Sequence, residues 1–306
     1  MRLESWVSWG ACTAPGRYPP PILEQADNSG ASKRRGSERR GARRWVGLGL
    51  AGAIVVLVIF VLGQAGGGGS GPLDAIATAA EATQREAGGH ALIDVTVKAT
   101  DSPEGLTENG SLVFENGGRS RGTMVVQGLT TGRRTKVQVI ADGATSYASS
   151  DQLDSLPEGR KWVKIDYSAA ASNSRLPADG GPTEGLKLLE KLDGAEEIGK
   201  EEIREVATTR YRGTLPISLK KVFGVEVQVS PPPVEVWVDA RDRVRRMTVT
   251  VSSSVHGVEG SATTTDMTID FLAFGPVPKI ELPQQDEIYD ATGRFESDLK
   301  SAAEAP

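Results

Sequence analysis

The sequence predicts an α+β fold, a curved antiparallel sheet of about ten strands wrapped over helices and preceded by one transmembrane helix. Three observations predict it. The stretch "VEVWVDARDRVRRMTVTVSS" (234–253) alternates almost without a break, with Val234, Val236 and Val238 on one face and Glu235, Trp237 and Asp239 on the other. After the polar turn at 240–243, Met247, Val249 and Val251 again share a side, the pattern of a β-hairpin with one dry face. Turn signals are local ("ENGG", "ADGA", "ARDR") and strands do not alternate with helices, so neighbouring strands pair antiparallel. Finally, "WVGLGLAGAIVVLVIFVLG" (45–63) is an uncharged apolar run close to the ~20 residues that span a bilayer as a helix.

Along the chain, residues 1–44 are rich in Pro, Gly, Ser and Arg and are expected to form a disordered basic cytoplasmic segment. They hold nine Lys/Arg against four acids, and Lys33, Arg34, Arg35, Arg39, Arg40, Arg43 and Arg44 lie close before the apolar run. Positive charge stays inside, so the expected location is the cell membrane, single-pass, N-terminus cytoplasmic and C-terminal domain extracytoplasmic. Gly63-Gln64-Ala65 would also suit a signal peptidase, while the length of the run favours a retained anchor. Residues 64–71 form a Gly-rich tether.

The exported part starts with an amphipathic helix over 72–86, with Leu73, Ile76, Ala80 and Thr83 at helical spacing, ended by Gly88-Gly89. Alternating strands follow over 91–99, 111–115, 121–129, 133–141 and 161–167. Their dry faces carry Ile93 and Val95, Phe114, Met124, Val137 and Val139, and Ile165. A short helix over 183–193 lines up Leu186, Leu189 and Leu192. Strands resume near 195–199, 202–214, 234–239, 244–253 and 263–274, the last placing Met267, Ile269, Phe271 and Ala273 on one face. No domain boundary is visible within 72–290, and 291–306 is expected to fray.

Composition excludes several chemistries. Cys12 is the only cysteine and His90 and His256 the only histidines, which leaves little for disulfides, metal sites or His-based catalysis. There is no G-x-S-x-G, H-E-x-x-H or G-x-x-x-x-G-K-[ST] motif. Asp166, Asp239 and Asp270 fall on the polar faces of their strands, where a solvated carboxylate is the expectation. No enzyme, cofactor or metal is expected. Beyond residue 44 the acids outnumber the bases, 36 of the 40 against 26 of the 35, which argues against a nucleic-acid partner.

Three stretches, "KWVKIDYS" (161–168), "ATTRYRGTLPI" (207–217) and "VEVWVDARDRVRRM" (234–247), together with the element order over 72–290, resemble the LolA-like superfamily. Within it the chain resembles the actinobacterial LppX/LprG-type lipid-carrier lipoproteins. The resemblance implies a half-barrel sheet closed by helices around an apolar cavity that holds acyl chains outside the cytoplasmic membrane. No lipobox cysteine follows the apolar run, which favours a tethered acceptor or sensor over a free shuttle.

Alternation alone favours a filled core, since inward apolar residues are usually core. The resemblance is what points to a cavity lined by Ile93, Val95, Phe114, Met124, Val137, Val139, Ile165, Leu186, Leu189, Val236, Val238, Met247, Val249, Met267, Ile269 and Phe271. Arg210, Arg212, Arg245 and Arg246 form a basic patch that is either an ordinary solvated strand face or a contact for phosphate headgroups. The expected function is non-covalent binding of a lipid or acylated ligand. The alternative is a cell-envelope sensor or regulator that binds an envelope protein partner and carries no lipid.

Overall fold

The computed structural model describes residues 71–303, apart from 101, 152, 154–155, 169–182, 217–220, 223–224, 257 and 259. The expected transmembrane helix (45–63), the cytoplasmic segment and all but the end of the tether lie outside the described residues. Among the described residues no helix is long and apolar enough to cross a membrane.

Helix α1 (Pro72–Arg85) begins on Pro72, whose missing N–H costs nothing in a first turn, and buries Ile76, Ala79, Ala80 and Thr83. Strands β1 (Gly88–Ala99), β2 (Gly105–Glu115), β3 (Ser120–Gly128), β4 (Arg134–Asp142), β5 (Thr145–Ser149) and β6 (Trp162–Asp166) form a meander. A 3-10 helix (Glu184–Lys191) interrupts it before β7 (Asp193–Ile203), β8 (Val206–Thr214), β9 (Lys221–Val222) and β10 (Val225–Val229). Then come β11 (Pro233–Asp239), β12 (Val244–Val255), β13 (Thr263–Phe274), β14 (Ile288–Asp290) and helix α2 (Thr292–Ala303).

The main sheet runs β14-β6-β5-β4-β3-β2-β1-β13-β12-β11-β8-β7, with β10 also on β12 and β9 on β10. This is more strands than the ten expected, and the path is open, since no ladder joins β14 to β7. Pairing is antiparallel except at β14, which lies parallel to β6. The hairpin of residues 234–253 forms as expected, with Val234 opposite Val249 and Val236 opposite Met247.

Three differences from the sequence expectation have physical causes. Residues 105–110 belong to β2, because Leu106 pairs with Val97 and Gly110 with Ile93, although "TENG" looks like a turn. The β7–β8 hairpin turns at Arg204 and Glu205, both at positive φ (49° and 66°), a conformation for which neither residue type is a usual signal. A bulge between His90 and Ala91 shifts the ladder with β13, so Ala273 is exposed although Phe271 two residues earlier is buried.

The expected frayed tail is a helix over Thr292–Ala303, and its Phe295 packs edge-on against Tyr167 with ring centroids 6.1 Å apart. The segment before it crosses the outer face of the sheet, where Ile280 joins Ile140 and Tyr147 in a small second cluster. Arg119 holds it there by donating to the Ile280 carbonyl (3.1 Å) and to both oxygens of Asp142.

On the inner face, strands β2 and β3 approach closely at Gly110. A Cβ there would meet the Met124 Sδ and the Thr123 carbonyl. Gly110→Val is therefore expected to overpack the face and cost about 1–3 kcal/mol. Urea denaturation should read this as a lower midpoint at unchanged slope.

Candidate functional site

One face of the sheet is largely apolar. Ile93, Val95, Phe114, Met124, Leu186, Leu189, Val236, Val238, Met247, Val249, Met267, Ile269 and Phe271 all belong to a single buried cluster, with Val139 and Ile165 half-buried against it. Val137 is half-buried on the same face, opposite Met124. The structure thus brings the predicted lining residues together, but it does not treat them alike.

The reason is where α1 lies. It packs on the 3-10 helix and on β7, β11 and β12. Thr83 fixes it, its hydroxyl donating to the Ala79 carbonyl (2.7 Å) and accepting from the Val244 amide (2.8 Å) in a fully buried position. Beneath and beside it Val236, Val238, Met247, Val249, Ile269 and Phe271 leave almost no free surface, with the Phe114 and Phe271 rings edge to face at 5.8 Å. These positions are core.

Farther along the sheet the apolar face opens. Val126 on β3, Val137 and Val139 on β4, and Val163 and Ile165 on β6 are all only half-buried. This band keeps apolar surface that the core does not cover, and each methylene buried on such a surface contributes about 0.8 kcal/mol.

Glu108 stands at the border of the band and was not among the predicted site residues. It faces inward on β2, opposite Val95 on one side and Val126 on the other. Burial pushes its carboxyl up to about 7. The signal in the sequence was the even-numbered series Leu106, Glu108, Gly110, Leu112 and Phe114, hidden because a turn-like stretch masked the first half of the strand.

Arg210, Arg212, Arg245 and Arg246 lie on β8 and β12 and are all engaged within the domain. Arg210, Arg212 and Arg246 lie on the opposite, outer face, and all three are committed to carboxylates. Arg210 and Arg212 both grip Glu235, at 2.5 and 2.8 Å, and Arg246 forms a fork with Asp270 at 2.5 and 2.8 Å. Trp237 lies between them, with the Arg210 and Arg246 guanidinium carbons 5.0 and 5.8 Å from its ring and its Nε1 donating to Glu201 at 2.8 Å. Arg245 sits in a bulge, where Trp237 faces Arg246 and Val238 faces Val244, and it stacks on Phe274 at 5.3 Å.

Asp239 and Asp270 are not solvated carboxylates either. Asp239 caps the β11–β12 turn, accepting from the Arg241 and Arg243 amides and from the Arg243 side chain. Asp270 is only 3% exposed and takes Arg204 as well as Arg246. Among the described residues no group of three or more His, Cys, Asp or Glu could hold a metal ion. His90 lines an open outer-face cleft of about 300 Å³ with Ser111, Arg121, Thr123 and Gln138, apart from the apolar band.

No protein-family model and no curated protein matches the chain. Solved structures do. The chain is similar to the lipoprotein LppX of Mycobacterium tuberculosis, at 14% identity over 69% of this chain and 98% of that one, with a TM-score of 0.43. It is similar to LprF from Mycobacterium bovis, at 13% identity over 69% of this chain and 96% of that one (TM-score 0.40). A LolA superfamily protein from Nitrosomonas europaea is also similar, at 8% identity over 70% and 96% (TM-score 0.25). The resemblance to LolA-like proteins thus extends to solved structures.

The outer-face network makes its own prediction. Burial works to raise the Asp270 carboxyl, but the hydrogen bonds from Arg246 and Arg204 outweigh it and hold it below its ordinary range. The stability so contributed is fully present above the unfolded value of about 3.9 and is lost as pH falls through the depressed folded value. Asp270→Asn is expected to cost about 1–3 kcal/mol at pH 7, because it leaves two guanidinium groups without their charged partner. Denaturation at pH 7 and pH 3 should show the difference from wild type shrinking at the lower pH.

Proposed function

We propose that the chain is a membrane-anchored, extracytoplasmic domain that binds a lipid or acylated molecule non-covalently. The observation that carries this reading is the half-buried apolar band of Val126, Val137, Val139, Val163 and Ile165, continuous with the core and set beyond the reach of α1. A fourteen-residue helix is about 21 Å long, whereas twelve strands side by side span about 53 Å, so α1 covers only part of the inner face. Acyl chains would lie on the part of the inner face formed by β3–β6. Residues 45–63 anchor the domain, with the basic segment before them inside the cell. No catalytic group is needed for this action.

A second reading has its own support. The dense packing of Val236, Met247, Ile269 and Phe271 under α1 is that of a solid domain, which would suit an envelope sensor that recognises a protein partner and carries no lipid.

Exporting residues 72–306 from a bacterial host, purifying them without detergent and extracting with organic solvent decides between the two. Mass spectrometry is expected to find a stoichiometric acylated species. The double variant Val139→Trp/Ile165→Trp should lose most of it while unfolding at a similar denaturant concentration. A folded wild-type protein that yields no acylated species would move the assignment to the sensor.

A further inference from the structure

Every strongly buried carboxylate described above on the outer face meets an arginine, whereas Glu108 on the inner face meets none. Its side chain is half-buried between Leu106 and Gly110 of its own strand and opposite Val95 and Val126. Among the described residues no hydrogen bond or ion pair engages it. Burial among these apolar neighbours disfavours the charged form of the carboxyl, and its remaining exposure leaves it within reach of a ligand on the half-open band.

The surroundings select the ligand's chemistry. The flanking inner-face positions Val95 and Val97 on β1 and Met124 and Val126 on β3 are uncharged. Tyr167, after β6, is the titratable group close enough to sense Glu108, and burial, followed by the Glu108 charge, holds its hydroxyl well above the usual range. It stays protonated across neutral pH. A neutral carboxyl offers one O–H donor and acceptor oxygens, which an ester or hydroxyl can match and a phosphate or carboxylate cannot match without placing two acids together.

We propose that Glu108 is the polar anchor of the inner-face site, taking the uncharged ester or hydroxyl group of an acyl lipid and coupling ligand binding to protonation of its own carboxyl. The inference rests on the acyl-binding reading and names the ligand class within it. Binding buries the carboxyl further and favours its neutral form, so affinity falls as pH rises through the range in which it ionises.

The test uses the full chain in maltoside solution and two fluorescent probes, an NBD-labelled monoacylglycerol and an NBD-labelled alkane without the ester. With a carboxyl titrating at about 7, wild-type affinity for the monoacylglycerol should fall about tenfold between pH 6 and pH 8. Glu108→Gln, which keeps a donor and an acceptor but cannot ionise, should hold the pH 6 affinity at both values. Glu108→Leu should be weaker for the monoacylglycerol at pH 6 while still binding the alkane. If that variant does not fold, the Gln variant decides alone. A pH slope that survives in Glu108→Gln, or a flat wild-type profile with both probes bound, overturns the anchor and leaves the acyl-binding reading standing. Failure of both probes at every pH overturns the two together.

Discussion

The docking of α1 on the inner face is the interaction on which the rest of the structure depends. A sheet with one dry face is unstable in water until something covers that face, and α1 with the 3-10 helix provides the cover over β11 and β12. Each valine or isoleucine buried there contributes about 1.5–3 kcal/mol relative to exposure. Thr83 adds direction, because its hydroxyl bridges the Ala79 carbonyl and the Val244 amide and so sets where along the sheet the helix sits. The same placement leaves β3 to β6 outside the helix footprint. Closed core and open band are two results of one docking position.

The outer face is organised by charge and hydrogen bonding. Glu201, Trp237, Glu235 and the arginines 210, 212 and 246 form a continuous set across β7, β8, β11 and β12, and Asp270 extends it to β13. Such pairs are worth little when fully exposed, but Asp270 and Trp237 are buried, so the set holds five strands in register. Farther along, the strap through Ile280 covers β4 and β5 with apolar contacts instead. The two ends of the sheet are therefore sealed on this side by different forces.

Much of the strand content was legible because period-two alternation is imposed by the pleat itself: Val236 and Met247 had to share a face whatever lay above them. What failed were features set by neighbours. Ala273 moves outward because a bulge with β1 breaks the period, and Arg245 falls out of the ladder for the same reason. Asp239 and Asp270 read as solvated because alternation reports which face a residue is on and says nothing of an arginine arriving from the next strand. Glu108 was hidden by its local sequence, since Glu-Asn-Gly resembles a turn until β1 supplies the register. Helix α2 depends on Phe295 reaching Tyr167, a contact between distant parts of the chain that no local pattern records.

Strand β7 ends the sheet and has no further partner among the described strands. Its exposed residues include Asp193, Glu196, Glu197, Glu201 and Glu202 against Lys200, and its ladder with β8 is irregular in two places. A free edge is an invitation to a further strand, and two identical copies meeting there would bring acid against acid along a kinked ladder. The rim thus acts as a guard against self-association. Acidic side chains and a kinked ladder make this edge a poor template for a second copy of itself.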